Sequence, residues 1–123
     1  MATPNIVNVS DIRGRTTYVD LTTASVTLLL GNITTDKVAK VNTIIVSNVD
    51  GTNSVNFSLN YNTNTTGTGT NVPMISTISV PANASLIAMD KSTSIYITDS
   101  TSLTVQAGTA SKLKVIISYE EIT

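Results

Sequence analysis

The sequence predicts an all-β protein: an antiparallel β-sandwich of eight or nine strands, jelly-roll-like in layout. Three observations lead there. Apolar residues recur at every second position in short runs, and no stretch carries a helical period. Thr, Ser and Asn make up 48 of the 123 residues; Thr is β-branched and fits a pleated, half-buried strand, while Asn and Ser favour turns because their side chains bond nearby backbone. Short polar turns separate most of the runs, which suits two packed layers better than helices on a parallel sheet.

The runs follow in order. Arg15–Leu21 is the first, and Ser25–Leu30 the second, stopped by Gly31-Asn32. Val38–Val49 is long, centred on Ile44, Ile45 and Val46. Asp50-Gly51 then reads as a two-residue hairpin turn, since Gly readily takes the positive φ of a type I′ turn. After it, Val55, Phe57, Leu59 and Tyr61 alternate with Asn56, Ser58 and Asn60, one side for a core and one for solvent or a partner. Asn62–Asn71 is low in complexity and reads as an exposed, mobile loop. Met74–Val80 is stopped by Pro81, Ser85–Met89 by Asp90-Lys91, and Ser94–Thr98 and Ser102–Gln106 flank Asp99-Ser100. Lys112–Tyr119 is the last run, with its lysines outward, before Glu120-Glu121-Ile122-Thr123. Spacing alone also admits an immunoglobulin-like sandwich; the long central strands and the late short ones favour the jelly roll. The length fits one domain, with residues 1–13 expected as an N-terminal arm that packs along the domain or onto a neighbour, and 14–123 as the sandwich.

The composition removes most chemistry. There is no His, Cys or Trp, so Ser-His-Asp and Cys-His arrangements, disulfides and thiolate zinc sites are excluded. The carboxylates Asp11, Asp20, Asp36, Asp50, Asp90 and Asp99 fall at strand ends or turns, where Asp is favoured for backbone reasons. Glu120 and Glu121 are adjacent on a strand and point to opposite faces. Asp99–Ser102 and Asp50–Asn53 lack the ligand spacing of a calcium loop, and Gly67-Thr68-Gly69 lacks the Gly-Lys-Ser/Thr of a phosphate loop. The expectation is therefore a non-enzyme, with no catalytic, cofactor-binding or metal-ligating residue and no cofactor.

Charged residues are 12% of the chain and the net charge is −1, with Arg13, Arg15, Lys37, Lys40, Lys91, Lys112 and Lys114 scattered, so no nucleic-acid partner is expected. The longest apolar run, Val26–Leu30, is too short to span a bilayer, so no membrane partner is expected either. Met1–Asn5 does not read as a signal peptide, which leads to the expectation of synthesis and folding inside the cell. Low charge with abundant hydroxyl and amide groups suits close contact with other proteins. Tyr96 is opposite in phase to Ile95 and Ile97 and is expected outward, while Leu29 and Ile116 each interrupt an alternation. If Leu29, Ile116 and Tyr96 lie together they make an apolar contact patch.

Four stretches, Val7–Thr16, Val41–Asn53, Ile78–Ala82 and Ile117–Ile122, resemble small virion proteins of tailed bacteriophages, especially phages of marine bacteria and cyanobacteria. The resemblance covers nearly the whole chain, and its motifs are structural. It implies a β-sandwich component of the particle, present in many copies and assembled in the host cytoplasm, and no functional residue carries over. The expected role is a capsid decoration or cement protein that binds the major capsid protein or other virion proteins, as a homo-oligomer with a trimer favoured. A neck, tail or fibre-associated subunit is the alternative within the virion. A carbohydrate-binding or adhesin module is the alternative outside it, with the absence of Trp against it.

Overall fold

A computed structural model describes residues 10–123. Nine strands follow in order: β1 (Ile12–Asp20), β2 (Thr27–Leu30), β3 (Val38–Asn48), β4 (Val55–Asn62), β5 (Asn71–Val80), β6 (Ser85–Met89), β7 (Ile95–Ile97), β8 (Ser102–Ala107) and β9 (Leu113–Ile122). The one helical element among the described residues is a 3-10 turn, Lys91–Thr93, started by the Asp90 carboxylate, which accepts from the Ser92 N–H. The alternating runs of the sequence thus become strands, shifted by a few residues at their ends. The expected arm overlaps the domain: residues 1–9 lie outside the described residues, but Ile12 and Arg13 belong to β1.

All strand pairs are antiparallel. One sheet has the order β1-β9-β3-β6, with β7 also on β3; the other has β2-β8-β4-β5. The pairings nest: β1 with β9, β2 with β8, β3 with β6 and β7, β4 with β5. A chain folded double and wrapped so that its nested strand pairs alternate between two sheets is a jelly roll. The immunoglobulin order, where the first two strands are neighbours in one sheet, is not adopted, because β1 and β2 lie in different sheets.

The core lies between the sheets. Val41, Ile44, Val46, Val115 and Ile117 of the first sheet meet Val55, Phe57, Leu59, Leu103 and Val105 of the second, all essentially without solvent exposure. Each such side chain contributes about 1.5–3 kcal/mol on burial, which compensates for the absence of disulfides. In β3 the inward phase jumps from Val41 to Ile44, because the ladder with β9 shifts register between Val41 and Thr43. In β2 the shift between Leu28 and Leu30 leaves both Leu29 and Leu30 buried.

Asp50-Gly51 does not close a hairpin. β3 and β4 lie in different sheets, and Gly51 does not take a positive φ. The segment is a crossover, held by Asn48 and Asp50. The Asn48 amide donates to the carbonyls of Asn53 and Val80, both at 3.0 Å. Asp50 Oδ1 accepts the N–H groups of Thr52 at 2.9 Å and Asn53 at 3.2 Å.

The segment between β4 and β5 is mostly exposed, as expected, and is tied down by hydrogen bonds that the sequence does not announce. Asn62, fully buried, donates to the carbonyls of Gly67 and Gly69 and accepts from the N–H groups of Asn64 and Gly69. Asn71 Oδ1 takes both the Asn62 amide at 2.7 Å and the Thr104 hydroxyl at 2.8 Å. The Thr65 carbonyl accepts from the Asn32 N–H at 2.8 Å, and a side chain at Gly31 would collide with that carbonyl. Polar residues that look unstructured in sequence here satisfy one another's backbone, as buried polar groups must.

Candidate functional site

The carboxylates do not converge. Among the described residues no three acidic groups lie close enough to hold a metal ion. Asp11 and Asp20 accept from Arg13 at 2.8 Å and Lys114 at 3.0 Å. Glu121 lies 3.5 Å from Arg15 and 3.6 Å from Lys37, while Glu120 accepts from the Asn42 amide at 3.4 Å. The N–H of Thr52, then that of Asn53, hold the Asp50 carboxyl below its usual value, and the Ser92 hydroxyl and N–H do the same for Asp90. Asp50 and Asp90 are caps, and the other paired carboxylates sit in surface ion pairs worth little individually. Asp99 Oδ1 is buried with no hydrogen-bond partner, as are Asn42 Oδ1 and Thr65 Oγ1.

The chemistry of contact is better developed, and it sits on the outer face of the β1-β9-β3-β6 sheet. Register places Tyr18 opposite Ile116, Ile116 opposite Ile45, and Ile45 opposite Ile87. The four side chains therefore form one row across four strands. Tyr18 is 68% exposed, Ile87 64% and Ile116 43%; Ile45 is half-buried. Beside the row, Tyr18 and Ile116 join Thr16, Thr17, Asp20 and Lys114 in lining an open groove of about 430 Å³. Thr16 bonds Ser118 at 3.3 Å on one side of the row, and the Asp20–Lys114 pair borders the other.

The expected patch of Leu29, Ile116 and Tyr96 is only partly assembled. Tyr96 is outward, 44% exposed, on the same sheet as Ile116. It pairs with Lys40 opposite Glu120, however, two rows from Ile116, with Ser118 between. Leu29 is buried in the other sheet. Tyr18 and Ile87 complete the row instead. Their signal in the sequence was the phase of their own strands, since each stands opposite in alternation to an inward neighbour.

The outer side of the second sheet is polar. Asn56, Ser58, Thr77, Gln106 and Gly108 line a smaller hollow of about 180 Å³ there, and Gly67 of the β4–β5 segment packs on Leu28 and Thr104.

No protein-family model and no curated protein matches the chain. Among solved structures, a chain from a study of Bacillus endospore appendages, described as a novel family of disulfide-linked pili, aligns at a TM-score of 0.46 and 20% identity. The alignment covers 90% of this chain and 86% of that one. A likeness of this degree carries no argument about function.

Proposed function

We propose that the chain is a structural subunit of a tailed-phage particle, a decoration protein that binds the outside of the head and stabilises it by bridging major capsid subunits. The observation that carries the reading is the exposed row Tyr18, Ile116, Ile45 and Ile87 across one face of a sheet. A contiguous apolar strip rimmed by polar residues suits a protein contact. Covering partly exposed side chains of this size contributes on the order of 1 kcal/mol each, so a single subunit gains modest affinity from the strip. Symmetric clustering multiplies such contacts and raises avidity without new chemistry. The resemblance of Val41–Asn53 and Ile117–Ile122 to small virion proteins supports the same reading.

The test is a cryo-electron-microscopy map of the particle that contains this chain. Many copies spread over the head, with Ile87 and Ile116 against the shell, are expected. A few copies confined to one vertex would replace the decoration role with a neck or tail role. Ile87→Asp combined with Ile116→Asp, in a chain that still folds, should abolish binding to bare heads.

A further inference from the structure

The free edge of β1 carries a second surface. β1 pairs with β9 over nine consecutive residues with no register shift, and among the described residues its other edge has no neighbouring strand. Every residue of β1 except Val19 is exposed. At its ends, the Leu21 N–H donates to the Leu113 carbonyl at 3.0 Å, and the Thr123 N–H to the Asp11 carbonyl at 2.9 Å. By the alternation of an antiparallel ladder the odd-numbered residues bond β9. The N–H and C=O groups of Gly14, Thr16 and Tyr18 therefore point outward, with no partner among the described residues. An exposed edge of this length and regularity is a template for another strand.

Gly14 is the second, independent observation. A glycine inside a strand weakens it by roughly 0.5–1 kcal/mol, and it often marks a place where another chain approaches closely. Nothing among the described residues requires glycine here: its φ is not in the left-handed region, and a Cβ would meet none of their atoms within 4 Å.

We propose that β1 pairs antiparallel with β1 of a second copy of this chain, about a twofold axis through Thr16. That register sets the outward-pointing groups of Gly14, Thr16 and Tyr18 against those of Tyr18, Thr16 and Gly14 of the second copy. It pairs the whole of β1, and it lays each Tyr18 ring over the opposing Gly14, a known device for covering a strand glycine. Tyr18 and Gly14 share the outer face, so the fit needs no rearrangement. Neighbouring registers are worse. Sliding one way puts Arg15 opposite Arg15, or Arg13 opposite Arg15, a like-charge cost; sliding the other way shortens the ladder and moves Tyr18 off Gly14. In the chosen register Arg13 faces Val19, Arg15 faces Thr17, and Asp20 faces Ile12. The net charge of −1 per copy gives little long-range repulsion. The pairing does not depend on which particle the chain serves.

The absence of cysteine makes a clean test. Arg15 and Thr17 of opposite copies form a non-hydrogen-bonded pair, about 4.5 Å apart at Cα, within disulfide reach. Arg15→Cys and Thr17→Cys chains, mixed and mildly oxidised, should cross-link with each other, and neither should cross-link alone. Thr16→Pro removes an outward N–H, which an edge strand tolerates, and the exposed hydroxyl bond to Ser118. Thr16→Lys sets two like charges on the axis. Both should be monomeric by sedimentation at concentrations where the unmodified chain is dimeric, with unchanged circular dichroism. A monomeric unmodified chain at every concentration, no cross-link in the mixture, equal cross-linking in the single-variant samples, or dimers that survive both Thr16 substitutions would each overturn the proposal.

Discussion

β1 and β5 are both long edge strands, and they are built to opposite purposes. β5 meets β4 through a ladder that shifts register twice, carries Pro73, and holds Thr77 at φ 57°, a conformation a β-branched residue rarely takes. The Thr77 N–H is turned to the Ser58 hydroxyl at 3.0 Å. Bulges and proline are the devices by which natural sheets refuse a further strand. β1 has neither. Of these two edges, one is closed and the other is open among the described residues, which argues that the open one is kept for a contact.

The heaviest blow to both edges at once falls on their shared foundation. Phe57 is fully buried and stands opposite Ile78 of β5. Phe57→Ala should cost about 3–5 kcal/mol in chemical denaturation. Asn62→Ala acts on the β5 side alone, stripping partners from the Gly67 and Gly69 carbonyls and the Asn64 and Gly69 N–H groups. A loss of about 1–3 kcal/mol is expected, with faster amide exchange in 63–70 and little change in β1.

Gly14→Val separates folding from contact on the β1 side. The monomer should gain up to about 1 kcal/mol from the better strand former, while dimerisation is lost because Tyr18 of the other copy no longer fits. Thr77→Gly is its counterpart on β5. Relief of the left-handed backbone is set against the freedom glycine adds to the unfolded chain, for a net gain of about 0.5 kcal/mol, with no effect on oligomeric state. Asp50 sets the smallest and most conditional effect. Its carboxyl is held below the usual value by the Thr52 and Asn53 N–H groups. The stability this adds is fully present above the ordinary carboxylate value and is lost as pH falls through the lowered one. Asp50→Asn should therefore show a lower thermal midpoint at neutral pH, and the two melting curves should converge in acid.

Strand positions were legible because alternation is a local property that burial enforces on each strand separately. Pairing was not. Asp50-Gly51 has the residues of a tight turn, and nothing local distinguishes a chain that doubles back from one that crosses to the facing sheet. Asn62–Asn71 looked loose because hydrogen bonding among Asn, Thr and Gly leaves no hydrophobic pattern. In the candidate site, Ile116 and Tyr96 were legible as outward by phase. Leu29 was misassigned because a register shift in β2 buries two successive leucines. The row that Ile116 joins runs across strands, so its members, Tyr18 to Ile116, lie far apart in sequence and meet only through register.

The nesting of β1 against β9 also governs how the chain is made. Of the nine strands described, the first to emerge in synthesis finds its partner only when the ninth has been made, so the sheet that carries the apolar row closes late. Long-range pairing of this kind folds in milliseconds to seconds rather than microseconds. Throughout that interval both edges of β1 are open, and the concentration of nascent chains decides whether it meets its own β9 or a stranger's.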